Sequence, residues 1–194
     1  PEVCIFFNHM LLRGNRSKKV QSVHFDAFES ENYPILAEAG IVIDYNTTAI
    51  RTYEANRKLV NRNNLDNGVM IVKLFPGITD KILDACFAIS GLRGVVLETY
   101  GSGNSPSLDW FMKSLEGAIK RGLILLNVSQ CNGGRVIQGR YETSKELLAV
   151  GVVSGADMTT EAAVTKLMFL LGQKLSREEI CLQLTQSIAG EIST

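Results

Sequence analysis

Three apolar segments alternate with helical patterns in the second half of the sequence, and this alternation constrains the fold more than any other feature. The segments cover residues 69–75, 95–99 and 123–128. The third is mostly apolar rather than alternating, which is typical of a strand buried on both faces of a parallel sheet. From residue 108 to residue 119, apolar residues recur at the spacing of one helix face. The sequence therefore predicts an α/β fold in which residues 69–194 form a small domain with a parallel sheet flanked by helices.

Hydroxyl and carboxylate side chains predict where the helices of this domain begin. Such side chains accept hydrogen bonds from the free N–H groups of the first turn. The predicted N-caps are Thr79, Ser107, either Asp157 or Thr159, and Ser176. Ser176 is followed three residues later by Glu179, which predicts a capping box.

The first 45 residues carry shorter segments. Apolar runs at 3–7 and 10–12, separated by two polar residues, predict a β-hairpin. Residues 37–40 favour one helical turn, and residues 41–45 favour a strand. Because a strand pattern begins at once, without an initiator residue or a polar lead-in, we expect the chain to be a fragment of a longer polypeptide.

An asparagine-rich segment separates these two regions. Residues 46–68 contain few large apolar side chains and close with Asp66-Asn67-Gly68, a turn signal. We interpret the segment as a linker between two domains. Its few alternating positions, Ile50, Thr52 and Leu59, could pair as edge strands.

Charge and composition argue against several classes of partner. Twenty basic and twenty acidic residues cancel, which gives no electrostatic reason to expect nucleic acid or an anionic membrane surface. No apolar run reaches the ~20 residues that a membrane span needs. Residues 13–19 are rich in arginine and lysine, and we interpret them as a solvated loop in preference to an anion site.

The cysteines and histidines do not form a metal-ligand pattern. The four cysteines are scattered, and the two histidines lie 15 residues apart in the first part of the chain. Free thiols of this kind are typical of a cytosolic protein, and a zinc site has almost no support. The cysteines are Cys4, Cys86, Cys131 and Cys181.

The turn that follows the second predicted strand is the main candidate for a ligand site. Residues 101–104 read Gly-Ser-Gly-Asn. Ligands of open α/β sheets bind at the carboxyl edge of the strands, and Asn104 offers both a donor and an acceptor there. The alternative is a tight strand-to-helix turn that uses glycine only for its backbone freedom.

The loop after the third predicted strand contains Cys131, the most plausible thiol nucleophile. A thiol needs a neighbouring base or a lowered pKa to act as a nucleophile, and no histidine occurs in residues 69–194. The glycine turn also lacks a complete phosphate-binding pattern, since Gly103 is followed by Asn-Ser-Pro. The residues alone therefore indicate a binding or scaffolding portion without a self-sufficient catalytic set.

Several motifs, in order along the chain, give it a resemblance to the type I, cytosolic L-asparaginases. In the second half these are GVVLETYGSGNSP at 94–106, NVSQC at 127–131 and GADMTTEAA at 155–163. In the first half they are LRGNR at 12–16, FDAF at 25–28 and NYPILAEAG at 32–40. Each motif alone is weak, but the ordered set covers nearly the whole chain.

The resemblance implies a reaction whose nucleophile lies outside this chain. Members of this family hydrolyse L-asparagine to L-aspartate and ammonia through a threonine nucleophile, without a cofactor. Their larger N-terminal domain supplies that threonine in a Thr-Gly-Gly-Thr motif, and this motif does not occur here. By resemblance, residues 1–45 are the last strands of a larger α/β N-terminal domain, 46–68 are the linker and 69–194 are the C-terminal domain.

The resemblance also implies a role for two residues of this chain. The family forms homo-oligomers, dimers or tetramers, whose active sites lie between subunits. Asn104 matches the asparagine that reaches the neighbouring site and helps to hold the substrate, so we expect no catalytic residue in this chain but a substrate-binding one. Cys131 matches a cysteine near the effector pocket of some members. Such members can carry arginine where this chain has Glu98, and an acid there would repel a substrate carboxylate, which argues against allosteric control.

Two alternatives to an L-asparaginase portion remain open at the sequence level. The chain could belong to a non-catalytic module of the same fold that binds an amino acid or mediates oligomerisation. It could also belong to the asparaginase-like subunit of a tRNA-dependent amidotransferase. We expect the isolated chain to be inactive as a hydrolase in each case.

Overall fold

The computed structural model of this chain describes residues 2–24, 26–56, 58, 60–137, 139 and 142–193, with the backbone alone for 142–144. The strands are β1 (Cys4–Phe7), β2 (Met10–Arg13), β3 (Lys18–Lys19), β4 (Phe28–Glu29), β5 (Ala37–Ala39), β6 (Ile43–Tyr45), β7 (Val69–Lys73), β8 (Gly94–Thr99), β9 (Ile124–Ser129) and β10 (Val153–Ser154). The α-helices are α1 (Asp80–Phe87), α2 (Asp109–Lys120), α3 (Glu142–Ala149), α4 (Thr160–Gly172) and α5 (Arg177–Leu184). None of the helices in the described part of the chain is long and apolar enough to cross a membrane.

The predicted parallel sheet is confirmed. Its strand order is β10-β9-β8-β7, and every neighbouring pair is parallel. Side chains of a strand alternate between faces, so β8 and β9 each contribute to two cores. Val95 and Leu97 pack with α1 and α2 on one face, whereas Val96 and Leu126 pack with α4 and α5 on the other. Burial on both faces explains why these strands lack an apolar and polar alternation.

Three of the predicted helix caps are confirmed. The hydroxyls of Thr79, Thr159 and Ser176 accept hydrogen bonds from the first turns of α1, α4 and α5, and Glu179 completes the capping box. The prediction for Ser107 is wrong, because α2 begins one residue too late for it and the N-cap position falls on Leu108. In place of a side-chain cap, α2 has an acidic residue in its first turn, Asp109, whose charge interacts favourably with the positive end of the helix dipole.

The N-terminal region forms a second, antiparallel sheet with the order β1-β2-β5-β6. The predicted hairpin is confirmed, with Cys4 opposite Arg13. The predicted helical turn at 37–40 is wrong, because Ala37 and Glu38 pair with both β2 and β6. Pairing on both sides outweighs the helix propensity of an Ala-Glu-Ala sequence, which amounts to only a few tenths of a kcal/mol per residue.

The remaining strand predictions are confirmed only in part. β6 covers Ile43–Tyr45, shorter than the predicted 41–45, because the backbone of Gly40 bonds Val42 in a bend. Within the described residues from 46 to 68, Ile50 and Thr52 belong to no strand. Leu59 lies outside the described residues.

Both arginines of the basic segment near the start of the chain are buried, contrary to the prediction of a solvated loop, whereas Lys19 is exposed. The Arg16 side chain is fully buried, and its guanidinium lies 2.8 Å from Oδ2 of Asp157 and 3.1 Å from Oδ1. It also donates to the carbonyls of Asn32 and Glu191, each at 2.7 Å. These bonds satisfy the Nη1 and Nη2 groups, which lowers the cost of burying the charge, whereas the buried Nε has no hydrogen-bond partner among the described residues. The segment therefore serves as an internal tie between the two ends of the chain.

A second pair of basic groups extends this tie. Arg13 pairs with Glu2, donates to the carbonyl of Gly190 and lies 4.0 Å from the ring centroid of Tyr33. Lys166 on α4 is buried and lies 2.6 Å from a carboxylate oxygen of Glu191. The C-terminal tail is thus fixed to both the N-terminal segment and the C-terminal domain.

Two buried carboxylates of this network make the fold sensitive to acid. Burial opposes the ionisation of Asp157 and Glu191, but other interactions outweigh it and hold the pKa of each carboxyl below its ordinary value. For Asp157 these are hydrogen bonds from Arg16 and Ser193, and for Glu191 the hydrogen bond from Lys166 and backbone N–H groups. A lowered pKa means that the unfolded chain binds more protons than the folded one in acid. The stability contributed by these groups is present above about pH 4, the unfolded-state pKa, and is lost as the pH falls further.

We therefore expect the free energy of unfolding to decrease steadily below about pH 4. Replacement of Glu191 by glutamine removes one titrating group, so the Glu191→Gln variant should be less stable at pH 7 but lose less stability on acidification. Urea denaturation at a series of pH values gives the free energy of unfolding as a function of pH for the unaltered protein and for the variant. Equal acid slopes for the two proteins would contradict the role of Glu191.

Candidate functional site

The Gly-Ser-Gly-Asn turn lies directly at the carboxyl end of β8. The N–H and carbonyl groups of Tyr100 and Asn104 exchange hydrogen bonds of 2.9 and 2.8 Å, which close the turn. The N–H of Gly103 also donates to the Tyr100 carbonyl, at 3.0 Å. Asn104 is half-buried, and it is held at the sheet edge by its own backbone.

Both glycines of this turn are required by its geometry. Gly101 has a φ of +50° and Gly103 a φ of +102°, in the region where side chains other than hydrogen are strained. A Cβ on Gly103 would also lie 2.7 Å from Cγ1 of Val136, closer than real atoms approach. Backbone geometry therefore accounts for both glycines. The same geometry places Asn104 at the carboxyl end of the strand, where ligands of parallel sheets bind.

The loop that carries Cys131 is joined to the turn through one side chain. The hydroxyl of Ser129, the last residue of β9, donates to the carbonyl of Gly101 at 2.6 Å. It accepts a hydrogen bond from the Cys131 N–H at 3.0 Å. The structure thus links the two loops that the sequence singles out, and the Cys131 side chain is exposed there.

Gln130 is a residue that the sequence analysis did not single out. Its side-chain amide donates to the carbonyls of Leu74 and Glu98, at 2.6 and 2.8 Å, and its own N–H donates to the carbonyl of Thr99 at 2.9 Å. These bonds connect the ends of three neighbouring strands, β7, β8 and β9. A glutamine directly after a strand next to a polar loop is the signal that could have identified it.

The Glu98 carboxylate is engaged by its neighbours. Its Oε1 accepts a hydrogen bond from the hydroxyl of Thr160, and its Oε2 lies 3.7 Å from Nζ of Lys73. Thr160 is the first residue of α4, so the carboxylate also lies near a helix N-terminus. This edge of the sheet therefore carries a fixed negative charge beside amide and hydroxyl groups.

The amide, hydroxyl and carboxylate groups at this edge can bind a small polar molecule. No cluster of three or more histidine, cysteine, aspartate or glutamate side chains that could hold a metal ion occurs among the described residues. Both histidines lie in the N-terminal region, and His9 is 3.7 Å from Glu38, away from Cys131. A thiol nucleophile would require a base within hydrogen-bonding reach. The amide, hydroxyl and backbone groups instead favour recognition.

Comparisons of sequence and of structure both find similarity to asparaginases along almost the whole chain. The family model "Glutaminase/Asparaginase C-terminal domain" matches residues 68–183, and "Asparaginase, N-terminal" matches residues 1–51. L-asparaginase 1 of Escherichia coli K12 is 38% identical over 99% of this chain and 56% of its own length. The human 60 kDa lysophospholipase is 39% identical over 100% of this chain and 34% of its own length.

A solved structure shows the same similarity in three dimensions. The crystal structure of L-asparaginase I from Vibrio cholerae superposes with a TM-score of 0.93 at 36% identity, over 100% of this chain and 58% of that one. The chain therefore spans little more than half the length of these asparaginases.

Proposed function

Since this chain belongs to the glutaminase/asparaginase family, we propose that it is the C-terminal portion of an L-asparaginase, which hydrolyses L-asparagine to L-aspartate and ammonia in the cytoplasm without a cofactor. The observation that carries the proposal is the 38% identity to L-asparaginase 1 of Escherichia coli over almost the whole chain. The catalytic threonines are proposed to lie in the N-terminal part of the full-length enzyme, outside the residues of this chain.

We propose the domain organisation that the sequence predicts. Residues 1–45 are the end of the N-terminal domain, residues 46–68 the linker and residues 69–194 the C-terminal domain. The separate antiparallel and parallel sheets support this division, and so do the two family models. The buried ties between Arg16, Asp157 and the C-terminal tail indicate that the two regions pack as one unit.

Asn104 is proposed to bind substrate in a neighbouring subunit of a homodimer or homotetramer. Its backbone is fixed by Tyr100, and its turn is joined to the next strand by Ser129, so its amide is well positioned for recognition. An amide can accept from the α-ammonium group of L-asparagine and donate to a carboxylate. The composite site would be incomplete in a single chain.

Cys131 is proposed to lie at the position of the effector pocket found in some members of the family, where the charge of Glu98 opposes binding of an amino-acid effector. Glu98 holds its carboxylate against Thr160 and Lys73. A carboxylate at this position repels the carboxylate of an amino-acid effector, which a guanidinium would bind. We therefore propose that the enzyme lacks activation by L-asparagine, so that initial rates should follow a hyperbolic dependence on its concentration.

The proposal is tested by comparing this chain with the extended polypeptide, which includes the upstream coding region. Release of ammonia from L-asparagine, followed by a coupled dehydrogenase assay, should be absent for the isolated chain and present for the extended polypeptide. Turnover by the isolated chain would contradict the assignment of the nucleophile to the N-terminal region. Failure of the folded extended polypeptide to release ammonia would overturn the proposed function.

A second candidate rests on a more distant similarity. A glutamyl-tRNA(Gln) amidotransferase subunit of Methanosarcina barkeri is 33% identical over 93% of this chain and 42% of its own length. A subunit of that kind would act as part of a tRNA-dependent amidotransferase. Release of ammonia by the extended polypeptide in the absence of tRNA and a partner subunit favours the L-asparaginase. A non-catalytic module would bind L-asparagine in calorimetry without turnover.

A further inference from the structure

One side chain from the N-terminal region clamps the loop that follows β9. The amide of Asn32 donates to the carbonyl of Gly134 at 2.9 Å, and the N–H of Gly134 donates back to Oδ1 of Asn32, also at 2.9 Å. The amide makes a third bond, to the carbonyl of Asp157, at 3.0 Å. Reciprocal amide bonds of this kind fix both the position and the orientation of a loop.

Asn32 is itself held by the buried ion pair. The carbonyl of Asn32 accepts from Nη2 of Arg16 at 2.7 Å, and the same guanidinium binds the Asp157 carboxylate. Asn32 and Asp157 are therefore both fixed relative to Arg16 as well as to each other. The side chain that contacts the loop is therefore held in place by the Arg16–Asp157 ion pair.

The clamped residue is packed directly against the candidate site. A Cβ placed on Gly134 would lie 3.1 Å from Oγ of Ser129 and 3.3 Å from Cβ of Cys131. Ser129 in turn bonds the carbonyl of Gly101, at the start of the turn that carries Asn104. We expect a displacement of Gly134 toward Ser129 to shift that hydroxyl and, through it, the turn, because the space between them is too small for a methyl group.

We propose that Asn32 is a positioning residue that holds the loop from Ser129 to Gly134, and through Ser129 the turn of Asn104, in the geometry that binds substrate. The structural half of this proposal stands on the contacts alone. The half that concerns substrate rests on the proposed function. Asn32 itself touches neither substrate nor reacting atoms in this proposal.

Amide hydrogen exchange tests the structural half. In Asn32→Ala, exchange should accelerate by about tenfold or more at Gly134 and within the loop, since the N–H of Gly134 loses its acceptor. The N–H groups of β8 and β9 should exchange as in the unaltered protein. The matched control is Asn15→Ala, because Asn15 also ties the N-terminal segment to a distant carbonyl, that of Ala189, without contacting the loop.

Steady-state kinetics of the extended polypeptide test the functional half. Asn32→Ala should raise KM for L-asparagine by about tenfold and change kcat by less than about threefold, because a misplaced turn weakens binding of the substrate. Asn15→Ala should change neither constant by more than about twofold. Asn32→Gln, which keeps the amide but moves it by one methylene, should lie between Asn32→Ala and the unaltered protein in both experiments.

The outcomes distinguish this proposal from the function on which it partly rests. Unchanged exchange at Gly134, or an acceleration that extends equally over β8 and β9, would overturn the positioning role. A loosened loop with unchanged KM would overturn its link to substrate binding. If Asn32→Ala does not fold, the same criteria apply to Asn32→Gln. An extended polypeptide that releases no ammonia would refute the proposed function, whereas hydrogen exchange would still decide what Asn32 does.

Discussion

Replacement of Asp157 by alanine should lower the free energy of unfolding by about 3–5 kcal/mol, since it leaves a buried charge without its partner. The Arg16 side chain is fully buried and donates to both carboxylate oxygens of Asp157. The substitution also removes the acceptor for the backbone N–H of Ser193. Two groups lose hydrogen bonds where water has little access, which explains the size of the effect.

Urea denaturation at pH 7 measures this loss. The matched control is Glu116→Ala, which breaks the exposed pair with Lys120 on α2 and should cost no more than about 0.5 kcal/mol. The double variant Arg16→Met with Asp157→Leu removes both charges and should recover part of the loss, because a buried ion pair can be replaced by apolar groups. A loss below about 1 kcal/mol for Asp157→Ala would show that this pair does not hold the two ends of the chain together.

Replacement of Asn104 by alanine in the extended polypeptide should reduce kcat/KM for L-asparagine by about 100-fold. Hydrogen bonds to charged groups contribute about 1.5–3 kcal/mol each, and Asn104 is proposed to hold the charged end of the substrate. The fold should survive, since the turn is closed by backbone groups. Ser102→Ala is the matched control, because in the same turn only the backbone carbonyl of Ser102 is used, by the N–H of Ile137.

Mixed oligomers test whether Asn104 acts in the neighbouring subunit. Alone, an Asn104→Ala polypeptide should retain about 1% of the unaltered activity, and one that lacks the N-terminal catalytic threonine should have none. Co-expressed in equal amounts, they should recover about a quarter of the unaltered activity, because half of random dimers contain one complete site. No recovery in demonstrably mixed dimers would place Asn104 in its own subunit's site or outside any site.

The parallel sheet could be predicted from the sequence because its signals are local and agree with one another. β8 and β9 are apolar runs without alternation, and each is followed by a polar turn and a helical pattern. Helix caps such as Thr79 and Ser176 confirmed the boundaries. The turn with Asn104 and the loop with Cys131 could be expected to meet, since parallel neighbouring strands end at the same edge.

The contacts of the N-terminal region could not be predicted because they depend on partners far away in the sequence. A segment rich in arginine and lysine looks solvated unless its buried acceptors are known, and Asp157 lies 141 residues after Arg16. The strand at Ala37–Ala39 has the same cause, since its partners β2 and β6 determine its conformation. Within the site, the side-chain amide of Asn32 bonds backbone carbonyls 102 and 125 residues later, and nothing local in the sequence predicts those partners.

The hydrogen bonds between the two ends of this chain also limit how early its fold can be completed during synthesis. Arg13, Asn15 and Arg16 bond carbonyls that lie 174 to 177 residues later, so these three side chains receive those partners only after the rest of the residues between them have been made. Contacts of such long sequence separation slow folding. A stop codon at position 187 would leave every described strand and helix in the sequence. It would still remove one acceptor of Arg13, the carbonyl of Gly190, and two of Arg16, the carbonyl of Glu191 and the hydroxyl of Ser193. Cellular quality control would then degrade a chain whose sheets and helices were all present.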